Sequence, residues 1–209
     1  MTFEALLAFA LIATLLVISP GPNGVLIART VPTSGRAVGF ANVAGFVAAF
    51  YLHGALAILG VSVILTQSAQ AFTVVKIAGA AYLAWVGLKA VRTAIRGDAA
   101  QASVTPAARR RTLWRAFREG FLTNALNPKV AIFYLAAFPQ FIPAGGSAGS
   151  AMSLVVVHSL INLAWFSLMI LALGRVLGLA RSGPVQRWIK GVTGIVFIGF
   201  GAKLATTRL

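Results

Sequence analysis

Ser19-Pro20-Gly21-Pro22-Asn23 lies inside a run, residues 5–28, that carries no Lys, Arg, Asp or Glu, and Asn127-Pro128-Lys129 stands at the head of a second such run, residues 130–174. A third uncharged run covers residues 37–75. The three runs are 24, 45 and 39 residues long. A membrane-spanning helix needs roughly 20 apolar residues, so the longer runs hold more than one crossing. Both motifs put proline where an uninterrupted helix would be expected. Proline removes a backbone donor and clashes with the carbonyl four residues back, so each helix must break. Freed backbone groups in hydrocarbon cost several kcal/mol unless protein or water satisfies them, so such breaks face a protein-lined cavity.

Working outward, the hydropathy frame predicts an all-α integral membrane protein of six transmembrane helices, over residues 3–27, 38–65, 72–91, 116–142, 149–173 and 187–206. Residues 97–112, from Gly97 and Asp98 to Arg111 and Thr112, form the clear hydrophilic linker. The chain therefore divides into a first three-helix half (1–96), a basic linker (97–112) and a second three-helix half (113–209). Three spans per half is an odd number, so the second half enters the membrane in the opposite sense and the halves form inverted repeats, with helices 1 and 4 broken at the proline motifs. The third helices also echo one another: Gly79-Ala80-Ala81-Tyr82-Leu83 through Lys89 against Gly194-Ile195-Val196-Phe197-Ile198 through Lys203.

The formal net charge is +15, with only Glu4, Asp98 and Glu119 as acids. The basic residues sit at the ends of apolar runs without stacking aromatics between them, which argues against nucleic acid as a partner. Fourteen of the 18 fall in the first, third and fifth loops or at their edges, while loops two and four are uncharged. Cytoplasmic loops are enriched in Lys and Arg, so these loops are assigned to the cytoplasm and both termini to the outside. The acidic start, Met1-Thr2-Phe3-Glu4, does not fit a cleaved signal peptide. The membrane expected is the bacterial cytoplasmic (inner) membrane.

Absent motifs narrow the chemistry. There is no cysteine, so no thiolate site is available, and three acids cannot build a carboxylate metal site. No Walker A sequence and no enzyme-like catalytic set is present, so neither enzyme activity nor a cofactor is expected. Glycine-rich faces suit a homodimer and internal packing equally well.

Asn23 lies six residues before Arg29, and Asn127 nine residues after Arg118. At ~1.5 Å per helical residue, both breaks lie roughly 9–14 Å inside the same surface and can meet. Unwound carbonyls, amides and the two Asn side chains are then available to a solute. Lys129 adds a cation within the membrane, which is a functional-site hypothesis by default. For an amino-acid-like substrate, Lys129 and the helix N-termini suit the carboxylate, and Asn carbonyls with unwound backbone suit the ammonium. Tyr82 and Tyr134, on the third and fourth spans, are placed to line the cavity. The proton-coupling candidates are His53 in mid-span, His158 in span five and Glu119 two turns before the second break. Glu119 also has Arg115 four residues before it, a plain surface pairing.

The Ser19–Asn23 motif with its glycine-rich second span, the segment Gly120-Phe121-Leu122-Thr123-Asn124-Ala125-Leu126-Asn127-Pro128-Lys129 followed by Phe138-Pro139-Gln140-Phe141, and Lys76-Ile77-Ala78-Gly79 through Gly87 together resemble the LysE/RhtB family of amino acid exporters. The resemblance covers nearly the whole chain. It implies secondary active export of amino acids or close derivatives, driven by the proton gradient, with Pro20, Gly21, Pro22, Asn23, Asn127, Pro128 and Lys129 as matching site residues. Many members of that family carry an acid or other polar group in the second span near Gly45. Here Gly45 through His53 contains no acid, which weakens a carboxylate coupling site and a dibasic substrate. Two other readings remain: efflux of another small solute or cation on the same scaffold, and a membrane assembly factor, which needs no paired helix breaks.

Overall fold

A computed structural model describes residues 2–67, 69–96, 110–142, 147–173 and 183–206. Most of the linker, with Asp98, and residues 143–146 and 174–182, with Arg175 and Arg181, lie outside the described residues. The described residues are helical, without strands. Helix α1 (Phe3–Ile18) starts at Thr2, whose side chain accepts from the Ala5 amide, and Glu4 lies in its first turn, where a negative charge suits the N-terminal dipole. Helix α2 (Pro22–Ser34) starts from the extended Gly21, with Pro22 in its first turn, where a missing amide costs nothing. The two axes differ by 53°.

The first loop departs from the expectation. Arg29 lies within α2, and only Gly35 separates α2 from α3 (Arg36–Gln67). Hydropathy marks where a membrane ends, and helicity continues past that point because Thr30 and Val31 remain buried. Gly35 turns the chain at φ 89° and ψ 170°, donating to Val31 O at 2.9 Å. That region of backbone space is essentially open to glycine alone, at a cost of about 1–3 kcal/mol for other residues.

The chain then runs through α4 (Ala69–Arg96) and α5 (Leu113–Ala125) to the second break. Helix α6 (Pro128–Ile132) follows, with Asn127 as its cap, its side chain accepting from the Lys129 amide at 3.1 Å. A wide π-type turn at Phe133–Ala137 and a tight turn at Phe138–Phe141 complete this span. Pro139 cannot donate to the carbonyl four residues back, and the widening falls just before it. Helices α7 (Ala148–Leu171) and α8 (Gly183–Thr206) finish the chain.

By length and composition, Arg36–Gly60 and Ala148–Leu171 can each cross a membrane, and α1 with α2 passes the same test as a bent pair. Leu7, Leu11, Leu56, Leu59 and Leu160 are all exposed, a surface suited to lipid. Helix α4 packs along α8, α3 along α5, and α3 crosses α7.

Glycines set the closest approaches. A Cβ on Gly87 would lie 2.6 Å from Gly194 O, and one on Gly194 would lie 2.6 Å from Gly87 O. A Cβ on Gly45 would strike the Phe117 carbonyl, and one on Gly120 the Asn42 carbonyl. With no apolar solvent contrast between helices in lipid, close backbone packing of this kind is what holds them. Two apolar clusters fill the remaining space, one around Phe9, Phe133, Tyr134 and Phe138, the other around Ile27, Phe46, Phe166 and Ile170.

Basic side chains finish several helix ends. Arg36 donates to Leu171 O at 3.2 Å, at the end of α7, and Arg187 to Ala94 O at 2.8 Å, near the end of α4. Cations belong at these unsatisfied carbonyls.

Candidate functional site

The two breaks follow the same arithmetic. In a continuous helix the amide of residue 20 would serve Leu16 O, and the amide of residue 128 would serve Asn124 O. Both residues are proline, so both carbonyls lose that donor. Each finds a replacement from elsewhere in the chain. Lys129 Nζ donates to Leu16 O at 2.7 Å and to Ser19 O at 3.0 Å. His53 Nε2 lies 3.2 Å from Asn124 O, which also accepts from the Asn127 amide at 3.1 Å. A carbonyl only accepts, so His53 carries its proton on Nε2 in this contact.

The Asn124 side chain joins the two breaks. Its Oδ1 accepts from Asn23 Nδ2 at 2.9 Å, and its own Nδ2 donates to Phe46 O at 2.8 Å. Asn124 is fully buried, so these bonds act at low dielectric without competition from solvent. Asn42 makes a parallel tie, donating to Ala116 O at 2.7 Å. Helices α2, α3 and α5 are thereby held together by amide side chains around the breaks.

Beside this network lies an aromatic group. The Tyr134 ring stacks on His53 at 5.5 Å and on His158 at 5.6 Å, and His158 lies 4.1 Å from Phe50. Neither His158 nitrogen has a protein partner, nor does the Tyr134 hydroxyl. Asn23 Oδ1, Thr30 Oγ1, Ser159 Oγ and Asn162 Oδ1 are also buried without one. An unsatisfied buried polar group costs about 1–3 kcal/mol, and each of these atoms retains the capacity to hydrogen-bond a polar solute or water. On α2, Asn23 and Thr30 are seven residues apart and share a face, and on α7 His158 and Asn162 are four apart and share another. The groups named here are imidazole, phenol, amide and hydroxyl side chains, and none of them is a carboxylate.

The expected residues divide accordingly. Asn23 meets Asn124, Lys129 meets the α1 terminus beside Gly21, and Tyr134 lies between the two histidines. Asn127 caps α6, while Pro20, Pro22 and Pro128 act by what they withhold. Glu119 is engaged elsewhere: it accepts from Arg115 Nε at 3.1 Å and pairs with Arg111. Tyr82 lies on α4, and its side chain is outside the described residues. A helix-bridging role for Asn124 is readable from the sequence, but its partners Asn23 and Phe46 are not, nor is which carbonyl Lys129 and His53 each serve. A signal for those carbonyls was present, because counting four back from each proline names Leu16 and Asn124 as carbonyls in need of a donor.

These features define an all-helical, multi-pass membrane protein with two helix breaks that buried side chains tie together. The family model for LysE type translocators matches residues 14–208, and the chain belongs to that family, one of transporters and not of enzymes. It is 29% identical over 209 residues to a threonine efflux protein of Escherichia coli K12, covering 97% of this chain and 98% of the relative. It is likewise 29% identical over 209 residues to a homoserine/homoserine lactone efflux protein of Salmonella typhimurium, covering 100% and 99%. An uncharacterised membrane protein of Bacillus subtilis is 29% identical over 205 residues, covering 96% and 98%. No solved structure matches the chain.

Proposed function

We propose that this protein is a secondary active exporter of amino acids or close derivatives, driven by protons and working by alternating access in the bacterial inner membrane. The observation that carries the reading is the pair of proline-orphaned carbonyls, joined through Asn124 and flanked by buried polar groups without partners. Such a site offers oxygen acceptors to an ammonium and neutral donors and acceptors to a small polar side chain. It offers no carboxylate to a second cationic group, which favours neutral substrates over dibasic ones. The threonine and homoserine named for the relatives are of that kind.

The reading extends to organisation. Residues 1–96 and 113–209 act as inverted halves joined by the linker 97–112, with the basic loops cytoplasmic and the termini outside. In support, α4 and α8 meet reciprocally through Gly87 and Gly194, and the two breaks are built on the same proline arithmetic. For the proton, His53 is the favoured carrier of the three candidates. It touches the orphaned carbonyl of the second break, whereas Glu119 is held by two arginines and His158 is enclosed by aromatic rings.

Two tests bear on this. A deletion strain carrying the gene or not, loaded with dipeptides, is expected to release one or a few amino acids selectively only when the gene is present. Pro22→Ala and Pro128→Ala are expected to cut that release about tenfold or more, which corresponds to ~1.4 kcal/mol at the transport barrier, while membrane abundance stays normal. Pro128→Ala restores the amide that serves Asn124 O in a continuous helix, and Pro22→Ala restores the one that serves Ile18 O. Wild-type release by both variants at equal abundance would sink the broken-helix site.

The second test concerns coupling, in proteoliposomes. His53→Gln retains an N–H donor for Asn124 O but no titratable group, so it is expected to exchange substrate at equal pH yet fail to accumulate it against a pH gradient. His53→Leu loses both activities. Gradient-driven accumulation by His53→Gln at the wild-type level would remove His53 from the proton path.

A further inference from the structure

Lys129 reaches the first break from the second. Its ammonium donates to Leu16 O, the carbonyl that Pro20 leaves unserved, and to Ser19 O, just past the end of α1. The amine rests against Gly21, where an added Cβ would sit 3.3 Å from Nζ and 3.7 Å from Cε. Among the described residues the ion pairs are those of Glu119 with Arg111 and Arg115, so the partners of Lys129 are carbonyls and not a carboxylate. The recess formed by two carbonyls and a glycine is therefore matched to a primary ammonium, and it is filled by one that belongs to the protein.

The geometry points to the Leu16 and Ser19 carbonyls as an ammonium-binding subsite in which Lys129 is a resident competitor that the substrate displaces. This deepens the export reading and rests on it, because the incoming ammonium is the substrate's own. The arriving amino acid places its ammonium on the two carbonyls. The released Lys129 amine then turns to the carboxylate attached to the same carbon as that ammonium. No bond is made or broken, and a zwitterion adds no net charge to the recess.

The exchange also sets specificity by charge. A cation without a carboxylate frees Lys129 but leaves two unpaired ammonium groups close together in a medium of low dielectric, where like charges repel strongly. An anion without an ammonium gives Lys129 no replacement on the carbonyls, which are then left unserved. Only a molecule with both groups on one carbon satisfies every partner, so the subsite discriminates by rejecting the alternatives as well as by attracting its ligand.

The test uses the full-length purified protein with methylammonium as the probe, read by calorimetry and by the shift in unfolding temperature. Lys129→Met vacates the carbonyls, and methylammonium is expected to bind it about tenfold or more tighter than the wild type, within the usual range of coupling between two ligands. Equal or weaker binding by the variant overturns the subsite. Should Lys129→Met not fold, Lys129→Arg serves instead. Its rigid fork holds both carbonyls more firmly, so alanine is expected to bind about tenfold more weakly than to the wild type, the scale of an ordinary coupling free energy. Retained alanine affinity in Lys129→Arg overturns the proposal, since a lysine that served only the carboxylate would be replaced well by arginine. Export is scored separately with wild-type proteoliposomes. Tighter methylammonium binding by Lys129→Met, together with no export of any amino acid, would leave the ammonium subsite standing and remove the export reading.

Discussion

Gly120→Leu is expected to leave no folded protein in the membrane. A side chain at this position would begin inside the carbonyl of Asn42, with the Asn42 Cα and carbonyl carbon both 2.9 Å from the new Cβ. These are backbone atoms in the second turn of α3, and they have no rotamer through which to withdraw. The opposing contact, Gly45 against the Phe117 carbonyl and the Phe121 amide, closes the alternative of sliding one helix along the other. Overpacking in an adaptable core costs about 1–3 kcal/mol. Here the whole α3–α5 seam must part, so the cost should consume most of a typical total stability of ~5–15 kcal/mol. Gly120→Ala is expected to fold with a lowered unfolding temperature, and Gly24→Ala, with open space around the new Cβ, to be neutral in packing. Fluorescence-detected gel filtration in detergent reads all three. A monodisperse Gly120→Leu with wild-type unfolding temperature would mean that α3 and α5 do not approach as closely as described.

Asn124→Leu is expected to abolish export while still reaching the membrane. The variant keeps the branched shape and loses both side-chain bonds, so Asn23 Nδ2 is stranded in a buried position and the tie to Phe46 O is gone. One stranded group costs about 1–3 kcal/mol, which lowers stability without eliminating the fold. Transport should suffer more, because the two breaks are no longer held in register. A fall of about 100-fold or more corresponds to ~2.7 kcal/mol at the transport barrier. The contact from His53 is made to the Asn124 backbone and is left intact, so the variant separates the amide network from the histidine. Proteoliposome export at more than about half the wild-type rate, a difference of under ~0.5 kcal/mol, would show that the Asn23–Asn124 bond is structural alone.

The breaks were legible because proline acts locally. Pro20, Pro22 and Pro128 dictate where hydrogen bonding must stop, and α1, α2, α5 and α6 begin and end where those residues require. The helix class was legible from the uncharged runs alone. The first turn was not, since the polar stretch from Arg29 to Ser34 reads as loop on hydropathy and is kept helical by the burial of Thr30 and Val31. The site was legible in part. Asn23, Asn127 and Lys129 stood out as polar residues beside prolines, but the partner of each is set by tertiary contact. Lys129 reads as a cation waiting for an anion, and it lies instead on the carbonyls of a helix 113 residues away in sequence. Asn124 carries no proline beside it and looks like any other asparagine in a membrane helix. Only the approach of α2 and α3 to α5 gives it its partners.

Arg187 gives the molecule an order of assembly. Helix α4 emerges from the ribosome early, yet the carbonyl of Ala94 near its end is served by a guanidinium in α8, and its glycine seam is completed by Gly194 in the same late helix. At about 5–20 residues per second, the first half waits on the order of 5–20 s for these partners. During that interval α4 presents a bare small-residue groove and an open carbonyl to its surroundings. A nascent chain halted before α8 is therefore the form most exposed to membrane proteases and to pairing with the wrong helix, and the last segment made is the one that certifies the rest.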